Sequence, residues 1–345
     1  MIYIALLTVI FVFGLLLLGE DPGNRRKIAF LFTAWLLMTL ISGFRGSTVG
    51  NDTSTYIYRY AEASSLSLPD LIAGTRHGVG YLLLEKFCLV FSSNPNSLFI
   101  VCAGITNGLV VYFIYKNSKD VFFPVFLYFV LDLYFFALSG IRQALAMSIC
   151  LLAVEFMKKK RFLPFAAAVI AASLFHVSAL CLLPFYLIAY RKIDLKNLCY
   201  TVIFALGGLL FINFAIMAAN TLFGMSYIKR GYPIGGVVPV TIMLITLAFS
   251  FLYSKQLEKE PDFNLLVNIA MIALIFYLAR YYQQAAERLS LYFQFGLLIL
   301  IPKLFKSIED KRTRKVLYAI ALAAGFLLVA KRCINENYLF FWSEL

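Results

Sequence analysis

The sequence predicts an all-α, polytopic integral membrane protein, and three observations carry that prediction. The 345 residues are 62% hydrophobic and only 14% charged, where a soluble domain carries about 25% charged residues. The apolar residues gather into about twelve runs close to membrane length, since a spanning helix needs roughly 20. The basic residues sit in the short connections between those runs, which is the orientation signal of a membrane protein. The net charge of +13 therefore reads as loop charge. There is no basic, aromatic-interleaved soluble face, so nucleic acid is not an expected partner.

Taken in order, the runs are 2–18, 27–43, 98–115, 121–138, 140–157, 162–175, 177–190, 198–218, 237–253, 265–281, 285–301 and 316–330. The first lacks a basic head and leads into Gly-Glu-Asp-Pro, so it reads as a retained helix rather than a removed signal. The runs 162–175 and 177–190 are short and read as half-helices meeting near His176. Six cysteines are scattered without metal-ligand spacing and read as small core residues.

Six basic clusters mark connections: Arg25 to Lys27, Lys116 with Lys119, Lys158 to Arg161, Arg191-Lys192 with Lys196, Lys255 with Lys259, and Lys303 to Lys315. Placing all six in the cytoplasm orients every run, with the N-terminus outside. One condition follows. The run 81–91, with Pro95 behind it, must be a short re-entrant or interfacial helix inside an outer excursion over 44–97, because it is too short to cross. A second outer loop covers 219–236 and holds Lys229 and Arg230. Arg45, Asp52, Tyr56, Arg59, Arg76, His77, Arg142, Gln143, His176, Arg280 and Arg288 then fall at or near the outer face. Arginines there oppose the charge trend, and an anionic ligand held at the outer leaflet accounts for them.

Four sets of residues carry the chemistry. In the first, Arg45-Gly46-Ser47-Thr48-Val49-Gly50-Asn51-Asp52 leads into Tyr56, with Tyr60 one turn on. Asp52 either caps the helix carrying the two tyrosines or faces a sugar, while Arg45 binds phosphate. In the second, Arg142 and Gln143 open a helix. A guanidinium matches phosphate oxygens, and a helix N-terminus adds N–H groups and a favourable dipole. The bland alternative is an interfacial arginine reaching lipid headgroups. In the third, His176 sits between Ser173 and Ser178 and is either a packing residue or a general base at neutral pH. In the fourth, Arg280, Glu287, Arg288 and Tyr292 cluster. Arg288 and Tyr292 share a helix face, Glu287 and Arg288 alternatively form a plain ion pair, and Arg280 alternatively only snorkels. No metal or other cofactor is expected, since no paired acidic motif is present on the outer side. Guanidinium groups would then stabilise a leaving pyrophosphate.

Together these sets resemble the EpsG/Wzy family of bacterial polysaccharide polymerases. The outer-loop pattern R…G-x-D-x-x-x-Y is matched by Arg45, Gly50, Asp52 and Tyr56. The helix opening I-R-Q-x-[LI]-A is matched by Ile141, Arg142, Gln143, Leu145 and Ala146. The pattern F-H-x-[ST]-A is matched by Phe175, His176, Ser178 and Ala179, and R-x-x-x-Y-F by Arg288, Tyr292 and Phe293. Family members usually carry an acid just before the helix that begins here at Gly80-Tyr81, where this chain has His77-Gly78-Val79-Gly80.

The resemblance implies a GT-C-like glycosyltransferase of the bacterial inner membrane, working on its outer side. Donor and acceptor would both be oligosaccharide repeat units on undecaprenyl pyrophosphate. Arg142 and Arg288 would hold the pyrophosphate, assisted by Arg45 and Arg280, and His176 would be the base. Asp52, Tyr56, Gln143 and Tyr292 complete the expected site. Membrane lipids are further partners, and the resemblance allows a chain-length regulator. Two other functions fit the same residues: a transporter or flippase of the lipid-linked unit, and a membrane O-acyltransferase using His176.

Overall fold

The structure of the chain, a computed structural model, describes every residue except 20–21, 75–77, 193–195, 197–198, 204–205, 209, 211–235, 261, 284, 335 and 344–345. The described residues are helical, with no strand. The one β pairing among them is an isolated bridge between Arg45 and Phe340. Arg76, His77, Lys229 and Arg230 lie outside the described residues, as do nearly all of the loop 219–236 and much of the run 198–218. The described chain falls into two compact units, Met1–Leu180 with Arg312–Leu345, and Cys181–Lys311.

The first unit opens with α1 (Ile2–Leu17), α2 (Asn24–Gly43), α3 (Thr53–Ser65), α4 (Leu68–Gly74) and α5 (Val79–Phe91). It continues with α6 (Asn96–Asn117), α7 (Phe122–Val130), α8 (Leu133–Ser139), α9 (Ile141–Lys158) and α10 (Phe162–Ser173). The second unit contains α11 (Val237–Leu252), α12 (Phe263–Leu278), α13 (Ala285–Gln294) and α14 (Leu297–Ser307). The long C-terminal helix α15 (Lys311–Cys333) returns to the first unit.

Four helices, α2, α6, α15 and α12 with its 3-10 extension to Tyr281, are long and apolar enough to cross a membrane. Two bent pairs raise that number to six. The remaining runs shorten or break for local reasons. The run 121–138 bends by 54° between α7 and α8, at Asp132, which adopts a left-handed conformation with φ 63°. Aspartate tolerates that conformation better than most residues. Its carboxylate accepts a hydrogen bond from Arg332 Nε at 3.1 Å. The run 285–301 bends by 50° between α13 and α14, beside Gly296, where an added Cβ would strike the Ile269 side chain. The run 177–190 gives no long half-helix: it holds a 3-10 turn at Val177–Cys181 and a single α-turn at Leu182–Phe185. The helix α5 has 13 residues, about 20 Å of length against a hydrocarbon thickness of about 30 Å.

In the first unit, α2 packs along α6 and α6 packs along α9. Small residues permit this close approach, as is usual between membrane helices. Gly104 and Gly108 stand one turn apart on α6. Trp35 lies over them, donating its Nε1–H to the Gly104 carbonyl at 2.9 Å. A Cβ at Gly108 would sit 3.3 Å from Trp35 Nε1. At the C-terminal end of α9, Lys160 takes φ 55° and donates its N–H to the Met157 carbonyl at 2.7 Å. That closes the helix and sends α10 back along it.

Replacing Gly108 by Leu is expected to displace Trp35 and destabilise the α2–α6 contact by about 1–3 kcal/mol, the usual range for overpacking. A lower melting temperature together with a shifted tryptophan emission would show it.

Candidate functional site

The first three residue sets meet in the first unit. One hydrophobic cluster joins Tyr56 and Tyr60 of α3, Tyr81 and Cys88 of α5, Leu98, Phe99 and Cys102 of α6, and Ile141 and Leu145 of α9, with Phe175 packed against it. The apolar neighbours of Arg142 and His176 are thus anchored to one core, although 34 positions separate Arg142 from His176.

Two glycines explain how the segments come so close. Gly50 has φ 86°, and a Cβ there would lie 2.5 Å from the Leu138 carbonyl oxygen, so the loop before α3 lies directly on the end of α8. Asn51 donates its N–H to Ser139 Oγ at 3.0 Å across the same contact. Gly78 leaves no space for a Cβ against the Leu174 carbonyl, and Gly80 donates its N–H to that carbonyl at 2.9 Å. The start of α5 is therefore pinned to the turn that presents His176. In that turn His176 Nδ1 and Ser178 Oγ are 2.6 Å apart, and the His176 N–H donates to Ala172 at 3.2 Å.

Arg142 is the second residue of α9, after Gly140 at the N-cap position. Its guanidinium carbon lies 5.9 Å from the centre of the Tyr81 ring, its charge acts on Tyr56 and Glu85, and its Nε has no hydrogen-bond partner among the described residues. Gln143, beside it, is buried. A guanidinium at a helix N-terminus, resting on an aromatic face, hydrogen-bonded to the Tyr56 side chain and with its Nε–H open, is equipped to hold an oxyanion.

Asp52 occupies the N-cap position of α3, but its side chain makes no capping hydrogen bond and is exposed. The expected cap is therefore positional only, and the carboxylate faces outward. Tyr56 is buried four residues on. Tyr60 is fixed by hydrogen bonds to the Ser92 carbonyl at 2.8 Å and Ser97 Oγ at 3.0 Å.

Arg45 lies deeper than its loop position after α2 suggests, at 2% exposure. Its Nε donates to Thr53 Oγ1 at 3.3 Å, its NH1 donates to the Ser42 carbonyl, and its guanidinium covers the Phe99 ring at 4.3 Å. The Arg45 carbonyl accepts from Asn96 at 3.0 Å, and the Gly46 N–H reaches Leu339 at 2.7 Å.

Two residues not chosen from the sequence also belong to this cluster, Tyr81 and Glu85. They stand one turn apart on α5, buried to 0% and 2% exposure, and Cys88 continues the same face. That spacing is the legible signal: a tyrosine and a glutamate at i and i+4 on an otherwise apolar helix. Glu85 Oε1 has no partner among the described residues. Burial pushes the Glu85 carboxyl up to about 7, opposed by the positive charges of Arg59, Lys86 and Arg142. Lys86 is occupied with the Ala63 and Leu66 carbonyls at the end of α3, a favourable place for a cation.

The fourth set lies in the second unit. Arg280 is buried. Its NH1 donates to Tyr277 Oη at 2.6 Å and pairs with Glu287 Oε1 at 3.1 Å. Glu287, one member of the anticipated Glu287–Arg288 pair, is thus a partner of Arg280. Gly236, with φ 96°, makes room for it: a Cβ there would lie 2.7 Å from Arg280 NH1. Arg288 is exposed and Tyr292 is buried on α13, so the pair shares a helix face but differs in access.

The sequence profile of the EpsG family matches residues 28–343 of this chain. No curated protein and no solved structure matches it.

Gly78→Val is expected to push α5 off the His176 turn, and faster amide exchange over 174–178 than in the native chain would report it. Glu85 supplies a pH prediction. Its folded pKa lies above its ordinary value of 4.5, so the folded state holds the proton more tightly and loses stability as pH rises from about 4.5 through about 7. Glu85→Gln removes that loss. The variant should therefore gain melting temperature over the native protein at pH 8 relative to pH 5.

Proposed function

Because the chain belongs to the EpsG family, a family of Wzy-like polymerases, we propose that it is a membrane glycosyltransferase that polymerises a polysaccharide from lipid-linked repeat units. The observation that carries this reading is the single cluster in which Tyr56, the start of α9 with Arg142, and the His176 turn are packed together. A guanidinium with an open Nε–H, a helix N-terminus and an imidazole held by a serine hydroxyl suit the transfer of a glycan from a phosphorylated leaving group.

In this proposal both substrates are oligosaccharides on undecaprenyl pyrophosphate, and the reaction takes place on the outer side of the bacterial inner membrane. A hydroxyl of the acceptor sugar attacks the anomeric carbon of the donor, the bond to pyrophosphate breaks, and the acceptor proton passes to His176. Ser178 orients the imidazole. Arg142 and Arg288 bind pyrophosphate oxygens and offset the charge that develops on them. Arg280, held by Tyr277 and Glu287, assists. Gln143, Tyr56, Tyr292 and the outward-facing Asp52 contact sugar or orient it. Arg45 supports the site from beneath it rather than touching the lipid. About twelve spans, with the short helix α5 inside an outer excursion and a GT-C-like arrangement, complete the proposal, together with a chain-length regulator as a partner.

Purified protein mixed with lipid-linked donor and acceptor should lengthen the glycan. Arg142→Ala, His176→Ala and Arg288→Ala should each lower the extension rate by about 100-fold or more, the usual cost of losing a group that stabilises the transition state. A transporter of the same lipid would extend nothing in this assay, and an O-acyltransferase would require an acyl donor. Native chain length from all three variants would defeat the proposed site.

A further inference from the structure

Arg45 poses a problem that its neighbours do not solve. It is buried to 2% exposure, it makes no ion pair among the described residues, and its NH2 has no hydrogen-bond partner. The titratable groups acting most on it are Tyr3 of α1, Cys102 of α6, Tyr134 of α8 and Tyr338 near the C-terminus, none of them a carboxylate. Taking a lone cation out of water costs several kcal/mol even after relaxation. Hydrogen bonds to Thr53 and Ser42 lessen that cost without supplying the opposite charge.

A cavity adjoins the guanidinium, lined among others by Ser42, Arg45, Thr106, Asn107 and Ile141. Its free space suits one water-sized occupant. Its polar lining is rich in donors. The Asn107 Oδ1 accepts from the Tyr128 hydroxyl at 3.4 Å, which leaves the amide N–H groups of Asn107 as donors. The Thr106 hydroxyl is another. The Ser42 hydroxyl is spent on Tyr134 at 3.1 Å.

We propose that this cavity binds a single small monovalent anion of the halide class, held by Arg45, Asn107 and Thr106. A water molecule leaves the charge uncompensated. A pyrophosphate is far too large for the space. A halide neutralises the guanidinium and accepts hydrogen bonds from the polar lining. Its role is structural, joining the loop after α2 to α6 and α9, and it leaves Arg142 as the guanidinium of this unit that faces substrate. The inference rests on Arg45 and its cavity and is independent of the polymerase reading.

The test is the melting temperature of the full-length protein purified in detergent, measured in sodium chloride, bromide, gluconate and pyrophosphate at matched ionic strength. Chloride and bromide should raise it by several degrees in a saturable way, while gluconate and pyrophosphate should not. Arg45→Met should abolish the halide dependence. Should that variant fail to fold, Asn107→Leu should shift the saturation to about tenfold higher halide. Equal melting in all four salts would mean that a single water suffices and would overturn the proposal. A saturable rise that survives in the folded variants would place the ion elsewhere. A rise in pyrophosphate that is lost with Arg45→Met would overturn the size argument.

Discussion

A buried or half-buried guanidinium in an apolar chain must be answered by its surroundings, and the architecture follows the ways in which three of them are answered. Arg45, Arg142 and Arg280 each stand at or beyond the end of an apolar helix. Arg280 is met by a carboxylate at 3.1 Å and a phenol at 2.6 Å. Arg142 is met by an aromatic face, by a hydrogen bond to the Tyr56 side chain and by the more distant charge of Glu85. Arg45 is met by a hydroxyl, a carbonyl and a phenyl ring. The least compensated positive charges lie in the unit that also holds the His176 turn. Spare charge of this kind is costly for the fold and useful for a phosphorylated ligand.

Hydropathy recovered the extents of the apolar segments well. The run 2–18 is α1 within one residue, and α2, α6 and α10 begin or end within a few residues of the expected limits. It did not recover where a segment breaks, because a mean over many residues is insensitive to one backbone conformation. Asp132 is a single acid in an apolar run, yet its left-handed φ and its bond to Arg332 divide that run in two. The partner lies 200 positions away, beyond any local pattern. The same holds at Gly296, where the deciding contact is the Ile269 side chain. In the run 177–190 the irregular turns follow a different logic. The carbonyl of Leu174 is committed to Gly80, and Pro184 withdraws a backbone donor.

The site was legible where chemistry is expensive and illegible where it depends on depth. Arg142 and His176 stood out because charged and titratable groups near a membrane demand a reason, and the structure ties their segments to one cluster. Arg45 stood out for the same reason, but nothing in the loop sequence reveals that α6, α8 and the C-terminal segment close over it. Asp52 carried the signature of a helix cap and takes the position without the bond. Tyr81 and Glu85 were harder to see. A buried carboxyl inside an apolar helix has meaning only once Arg142, four helices further on, is placed beside it.

The glycines connect these points. Gly50 and Gly78 are the positions where a Cβ would strike backbone carbonyl oxygens, Leu138 in one case and Leu174 in the other. A backbone obstacle cannot rotate away as a side chain can, so each glycine sets how near two segments come. Gly50 brings the Tyr56 helix onto the end of α8, just before Arg142. Gly78 brings the Tyr81–Glu85 helix onto the turn that holds His176. Remove either contact and the aromatic cluster keeps its hydrophobicity but loses the register that lines its polar groups up. The shape of the site is therefore set less by the charged residues themselves than by two absent side chains.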